Sequence, residues 1–323
     1  MLRFILRRLL WLPPTILIVT FLVYVAIRIG WDPLAAYMRA NPRASAEKRQ
    51  QFIEANGLYP GFDGILRGYW EWLQKFVQGP DNWARSIRGE APVWPLLTYA
   101  IGNTLRLYGV AAVLGITLGI SLGILASRRP GSWLDTIINT TAFYVGAIPP
   151  FVSAVVLQLV FAVQLAWLPP GGVYPPGHQG FDLVEMVKHL ILPVIVVMMQ
   201  VIAQYSRYTR ASVLDVSTAD YLRTARAKGL PERTVLFKHS VRNALIPVVT
   251  LIAIDIGAVL GGLIITENIF NYPGMGVYFL NAVNEADTPR LLPFMVIVVL
   301  AVLIFNLIAD VMYAVLDPRI RLD

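Results

Sequence analysis

Six long apolar runs constrain this chain more than any other feature, because each is long enough to need lipid rather than water around it. A helix that crosses a bilayer takes roughly 20 consecutive, mostly apolar residues. The first run, Leu9 to Ile27, is uncharged and follows Arg3, Arg7 and Arg8. It exceeds the apolar part of a secretory signal, and no small-x-small cleavage site follows it, so it is expected to remain as a spanning helix. The second span is expected from about Asn103 to Ser127. The third begins after Asp135 and reaches about Trp167, with Pro149-Pro150 inside it. Splitting it at the prolines leaves a first piece too short to cross, so a single tilted or kinked helix is expected. The remaining spans are expected at about Val187 to Tyr205, Asn243 to Thr266 and Leu291 to Leu316. Composition agrees: 56% of residues are hydrophobic and only 15% charged, against about 25% charged in a soluble domain. The expected fold class is an all-α membrane protein with six transmembrane helices.

The distribution of charge orients those spans. Lysine and arginine collect in short cytoplasmic loops, whereas long translocated loops are largely exempt. One side carries Arg3, Arg7, Arg8, Arg128, Arg129, eight basic residues between Arg207 and Arg242, and Arg319 and Arg321, fifteen of the 27 basic residues. The short loops of the other side, 168–186 and 267–290, hold only Arg290. Both termini are therefore expected in the cytoplasm. The formal charge of +7 then reports topology, and no nucleic-acid partner is needed to explain it.

The expected organisation has four parts. Residues 1–29 form the cytoplasmic amino terminus and first span; 30–98 form an extracytoplasmic loop region; 99–316 form a five-helix core that includes the cytoplasmic loop 207–242; and 317–323 form a cytoplasmic tail. The 30–98 region has helix-friendly stretches at Ala44 to Ala55 and Ile65 to Val77, broken by Pro60-Gly61 and Gly79-Pro80, and contains Trp70, Trp72, Trp83 and Trp94. It reads equally as a cap with interfacial aromatics and as a docking surface for an extracytoplasmic partner. Two Pro/Gly-rich loops, after the third and fifth spans, either pack over a path or simply connect helices.

Several chemistries are excluded. There is no cysteine, so neither disulfides nor thiolate metal sites are available, and the three histidines are scattered. No phosphate loop of the form G-x-x-x-x-G-K-[ST] and no H-E-x-x-H is present. No catalytic residue, metal ligand or bound cofactor is expected.

Local grammar is clearest in the cytoplasmic loop. Ser217-Thr-Ala-Asp220 resembles a capping box that opens a short helix. Gly229 can end that helix in the left-handed conformation, and Pro231 can open a second one. Small residues at Ala225, Ala227 and Gly229 allow close approach to another surface, with Leu222, Leu230 and Phe237 as apolar anchors. Such a knob suits a groove on a cytosolic partner; a basic helix lying on anionic lipid is an equal alternative.

Residues 220 to 230 read Asp-Tyr-Leu-Arg-Thr-Ala-Arg-Ala-Lys-Gly-Leu. They resemble the EAA loop of ABC importer permeases, in the form Asp-Tyr-x-Arg-Thr-Ala-Arg-Ala-Lys-Gly-Leu of the dipeptide and oligopeptide branch. Ala225 and Gly229 match the general loop, whereas Arg223 stands in place of its Glu, Thr224 in place of its first Ala, and Val241-Arg242 in place of its Leu-Pro. Arg242-Asn-Ala-Leu-Ile-Pro247, Thr266-Glu267, Phe270, Pro273-Gly274-Met-Gly276 and Leu316-Asp-Pro-Arg-Ile-Arg321 extend the resemblance over most of the chain from Asn103 and the first span; it is weakest in 30–98.

The resemblance implies a type I ABC importer permease fold and the B-type permease role of such systems. Implied partners are a second, C-type permease subunit in a heterodimer, one or two cytosolic ATPases that hold ATP and Mg, and an extracytoplasmic peptide-binding protein, all in or at a bacterial inner membrane. Asp220, Tyr221, Arg223, Thr224, Ala225, Arg226, Ala227, Lys228, Gly229 and Leu230 would couple to the ATPase. Glu267, Phe270, Pro273 and Gly274 would belong to a gate or binding-protein loop. Peptides are the expected substrate, dipeptides first, with nickel and glutathione as alternatives.

Ionisable groups inside spans are functional candidates by default. Asp255, Gln158, Gln200 and Gln204 are candidates for the translocation path, and an interhelical hydrogen bond is the competing role for each. Gly115-x-x-x-Gly119-x-x-x-Gly123 and Gly257-x-x-x-Gly261 are expected to be close-packing faces. Two other classes compete with the permease: an ion-coupled secondary transporter, for which no internal repeat is seen, and a membrane-embedded enzyme, for which no H-E-x-x-H and no paired intramembrane Asp is seen.

Overall fold

The computed structural model describes residues 2–259, 261 and 263–316, with side chains from Leu6 onward except Arg7 and Arg8, and as far as Met312. The expected tail 317–323 and the charges at Arg3, Arg7, Arg8, Arg319 and Arg321 lie outside what is described. Among the described residues the chain is all-α. Five helices are long and apolar enough to cross a membrane, and a sixth crossing is available from a bent pair.

The centre of the molecule is the contact between α5 (Val93–Ser127) and α8 (Leu183–Ser217). Each has 35 residues, about 52 Å of helix, so both outrun a bilayer core of about 30 Å. They run parallel, in register through three glycines. A methyl group on Gly115 would come within 2.8 Å of Val201, one on Gly119 within 2.8 Å of Tyr205 Cβ, and one on Gly123 within 2.6 Å of the Ser206 carbonyl oxygen. Bare glycine faces let two backbones approach where lipid supplies no hydrophobic push. The expected packing role of this stripe is what the geometry displays, and Gly257 likewise faces Phe305 of α14 (Thr288–Leu316).

The third span departs from expectation. Instead of one kinked helix there are two, α6 (Trp133–Ala147) and α7 (Pro150–Leu157), the latter continued by a π-helical stretch to Gln164, and the two directions differ by 93°. The cause is local. A residue before proline is driven out of the helical region, and both Ile148 and Pro149 are extended, with ψ of 121° and 137°. Pro150 then starts a new helix at the position where its missing N–H costs nothing. Gln200 of α8 donates to the carbonyls of Val145 and Ile148, meeting acceptors that the break leaves open.

Residues 31–92 build a cap from α2 (Pro33–Ala40), α3 (Ala46–Asn56) and α4 (Gly61–Gln78). Asp32 and Ser45 cap the first two by accepting from Ala35 and Lys48 amides, and Gly57 ends α3 at φ 61°. A run of rings, Tyr69, Trp72, Phe76, Trp83 and Trp94, with successive centroids 4.9–5.8 Å apart, joins α4 to the start of α5. The cap is latched at its far end. Ser86 donates to the fully buried Asp287 at 2.5 Å, and Arg88 pairs with Glu285 at 2.8 Å. Helix α1 (Leu2–Gly30) packs on α14, with Tyr24 and Ile27 buried against Leu291 and Leu292.

At the same end, α12 (Ile264–Ile269) and α13 (Met275–Asn284) are joined through one carboxylate. Glu267, fully buried, accepts from the amides of Gly276 (2.6 Å) and Val277 (3.3 Å), at the start of α13, and from the Thr104 hydroxyl (2.5 Å). Thr104 Oγ1 in turn accepts from the Met275 amide at 2.7 Å, and Asn103 donates to the Pro273 carbonyl. An anion at a helix N-terminus meets unpaired N–H groups and the positive end of the dipole. Burial raises the Glu267 pKa, and the donated hydrogen bonds oppose that rise.

Two outcomes follow from these contacts. Gly119→Leu should destabilise the protein by about 1–3 kcal/mol through overpacking, whereas Gly109→Leu, where a methyl meets nothing within 4 Å, should be tolerated; thermal unfolding in detergent, followed by tryptophan fluorescence, compares them. Glu267→Ala should lower the same midpoint more than Glu267→Gln, which keeps one acceptor oxygen, because each buried donor left unpaired costs about 1–3 kcal/mol. The raised pKa sets the sign with pH. A carboxyl that holds its proton more tightly when folded contributes most below its unfolded pKa of about 4.3, and that contribution is lost as pH rises through the folded value. The wild type should therefore lose ground to Glu267→Gln as pH increases.

Candidate functional site

The basic loop folds around a short helix, α9 (Asp220–Ala227), hung between two spans. The capping box expected at Ser217 does not form. Helix α8 runs on to Ser217, whose hydroxyl donates back to the Leu214 carbonyl, and α9 starts from Ala219 without a side-chain cap. The stop signal is as expected: Gly229 has φ 73°, a left-handed backbone that suits glycine. Pro231 then precedes α10 (Glu232–Thr234), which passes through a π-helical stretch, Val235–Val241, directly into α11 (Arg242–Val259). The expected second helix and fifth span are thus one continuous rod from Glu232.

Which side chains this element offers differs from the sequence reading. Leu222, expected as an outward anchor, is fully buried against Val235 and Val216, and Ala225 joins it. They are the inward face of the amphipathic α9, the contact that sets it on the rod. Facing out are Tyr221, Arg223, Thr224, Arg226, Ala227, Lys228, Gly229 and Leu230, with Asp220 at the helix start. Arg226 grips Glu232 with two nitrogens, at 3.0 and 3.3 Å, bracing the turn around Gly229. Arg223 and Asp220 make a looser exposed pair at 3.6 Å. Asn243 of α11 donates to the Tyr221 hydroxyl at 2.9 Å, a second tether. Beside the element lies a cleft of about 750 Å³, lined by Arg128, Arg129, Arg226, Arg233 and the exposed Phe237. A methyl on Gly229 would meet nothing within 4 Å. This surface is basic, braced from behind and open in front.

One ion pair links this end to the broken span. Asp135, buried at the start of α6, accepts from Arg210 of α8 through two bonds of 2.6 and 2.7 Å and from the Gly131 amide. Bidentate geometry of this kind fixes orientation as well as distance. Nothing in the sequence pairs residues 75 positions apart, and this contact was not anticipated.

The candidate path residues divide into two groups. Asp255 of α11 accepts from the Tyr205 hydroxyl at 2.8 Å and from Gln204 at 3.2 Å, both on α8. Gln200 lies one turn from Gln204 on the same helix and is committed to the α6 break. Gln158 belongs elsewhere: it donates to the Pro170 carbonyl at 2.6 Å and lies near that of Ile269. There the two Pro/Gly-rich loops pack together. Gly171 sits against the Phe270 backbone, and the Gly172 amide donates to the Phe270 carbonyl at 2.8 Å. Glu267 and Phe270 are fully buried in this assembly, Pro273 is held by Asn103, and a methyl on Gly274 would come within 2.6 Å of Thr104 Oγ1. Among the described residues no group of three or more His, Asp or Glu side chains is placed to hold a metal ion.

Comparison with known proteins covers the same architecture. Residues 115–322 match the family described as the binding-protein-dependent transport system inner membrane component. The chain is 39% identical, over 99% of its length and all of the relative's, to the oligopeptide transport system permease protein AppB of Bacillus subtilis (strain 168). It is 35% identical, over 99% of each chain, to the glutathione transport system permease protein GsiC of Escherichia coli (strain K12). Both similarities run through residues 30–98, where the motif resemblance was weakest. With this coverage, the helical architecture and the apolar spans in agreement, the chain belongs to the binding-protein-dependent transport system inner membrane component family and is a multi-pass ABC-transporter permease.

Proposed function

We propose that this chain forms half of the translocation pathway of an ATP-driven peptide importer in a bacterial cytoplasmic membrane. The observation that carries the reading is its end-to-end similarity to a permease of an oligopeptide transport system. The second half of the pathway is a C-type permease subunit, ATP and Mg belong to cytosolic ATPase subunits, and an extracytoplasmic binding protein delivers substrate. Both termini and the Arg207–Arg242 segment face the cytoplasm, in keeping with the charge distribution, and residues 31–92 with the 168–176 and 266–277 loops face outward.

Residues 217–242 carry the coupling. Alternating access needs a rigid connection between ATPase movement and the spans. A short helix whose inner face is buried on a rod continuous with α11 has that character, since a push on α9 reaches the rod through the buried Leu222–Val235 contact and the braced turn around Gly229. The second connection is α8, which leads into α9 and holds α6 through Arg210 and Asp135. The outward basic and small residues of α9 are the surface offered to the ATPase. Glutathione transport is a second reading, favoured by the similarity to GsiC; glutathione is itself a small peptide with a free ammonium group and carboxylates.

Ala227→Trp adds bulk to the outward face of α9 without touching its packing. It should leave the unfolding midpoint of the isolated chain unchanged, remove ATPase subunits from the purified complex and cut ATP-dependent peptide uptake in proteoliposomes at least tenfold. Full uptake by that variant would contradict the coupling assignment. Competition by unlabelled di-, tri- and longer peptides, glutathione and nickel in the wild-type complex identifies the substrate class.

A further inference from the structure

One cluster is left over by the coupling role: a polar strip at membrane depth on the surface formed by α8 and α11. Gln200, Gln204, Arg207 and Ala211 follow one another at helical spacing on a single face of α8. Gln204 and Arg207 are exposed, in a helix whose neighbouring positions Val201, Ala203, Tyr205 and Ser206 are buried. Across from Gln204 stands Asp255, about a dozen residues into α11. Hydrocarbon does not accept a half-buried carboxylate beside an exposed guanidinium and amide, so this strip faces water or protein.

The strip is built rather than incidental. Tyr205 is fully buried, seated against Gly119, and its hydroxyl holds Asp255 from behind. Gln204 reaches the same carboxylate oxygen, Oδ2, and Oδ1 takes no hydrogen bond from any described residue. Arg207 uses Nε on the Ala203 carbonyl of its own helix, while its terminal nitrogen lies beside Gly146, where a methyl would approach it to 3.3 Å. No described carboxylate lies within ion-pair distance of Arg207. One carboxylate oxygen, on α11, and one guanidinium edge, beside α6, are therefore without a hydrogen-bonded partner among the described residues. Arg207 lies about 4.5 Å along the helix from Gln204, and two extended residues reach about 7 Å.

We propose that Asp255 and Arg207 are the two poles of a transit site for a zwitterionic peptide, which places its terminal ammonium on Asp255 Oδ1 and its carboxylate on the Arg207 guanidinium. The site rests on the peptide reading above. It orients a short peptide along the path and releases it readily, because each pole offers a single charged contact. Tyr205 and Gln204 are positioning residues that keep the carboxylate turned toward the path.

The chain has no native cysteine, so single cysteines report on the strip directly. Ala258→Cys lies one turn from Asp255 on α11, and Ala211→Cys one turn from Arg207 on α8; both native residues are exposed. In the assembled complex with cysteine-free partners, the first should react at least threefold faster with a cationic than with an anionic methanethiosulfonate reagent, and the second the reverse. Asp255→Asn should abolish the first preference only, and Arg207→Gln the second only. Excess dipeptide, added without the binding protein, should slow both reactions, and its N-acetylated form only that at Ala211→Cys. Cysteines that never react, because lipid or the second permease covers the strip, would overturn the proposal, as would rates indifferent to reagent charge. A wild-type complex that imports no peptide but shows both charge preferences would refute the peptide reading while leaving the two-pole site standing.

Discussion

Close approach of α5 and α8 is the constraint on which the rest of the structure depends. In lipid, two apolar helices gain little from burying apolar surface, so contact has to come from backbone proximity and fitted side chains. Gly115, Gly119 and Gly123 supply the proximity, and Val201, Tyr205 and Thr209 fill the space they leave. The candidate site residues are hung from this pair. Tyr205, pressed into the Gly119 notch, carries Asp255. Arg210, five residues further on, carries the broken span through Asp135. Thr104, near the other end of α5, carries Glu267 and through it α13.

The two ends of the bundle are held by different means. At the cap end, buried carboxylates meet donors: Glu267 two amides and a hydroxyl, and Asp287 the Ser86 hydroxyl on one of its oxygens. Such sites are costly to open, since a buried carboxylate stripped of its donors has no substitute. At the basic end, the contacts of α9 are a small apolar seat, an exposed Arg226–Glu232 pair and one side-chain hydrogen bond. Exposed pairs of this kind contribute at most about 1 kcal/mol. The basic end thus rests on fewer and more exposed contacts than the cap end.

Much of this was legible in the residues, and the failures have physical causes. Glycine at four-residue spacing announced a packing face because no other side chain permits that approach. Gly229 announced a left-handed turn because that backbone is costly for any side chain with a Cβ. The number of spans was legible from length and hydropathy, whereas the 93° break in the third was not: both halves are apolar, and only the extended backbone before Pro150 separates a break from a kink. Leu222 was assigned outward because an eight-residue helix is too short for periodicity to say which side is covered; the partner that covers it, Val235, lies beyond the turn. Ser217 looked like a cap because the pattern does not say that α8 continues through it. The Ser86–Asp287 and Asp135–Arg210 contacts join distant segments, so no local pattern reveals them.

The central claim is that this permease moves peptides only when driven from its basic end by ATPases seated on α9. Peptide uptake into proteoliposomes that hold the chain with its partner permease, with and without the ATPase subunits, under either ATP or an ion gradient, tests it most directly. The account predicts uptake with ATPases and ATP and none under a gradient alone. Gradient-driven uptake in the absence of ATPase subunits would contradict it.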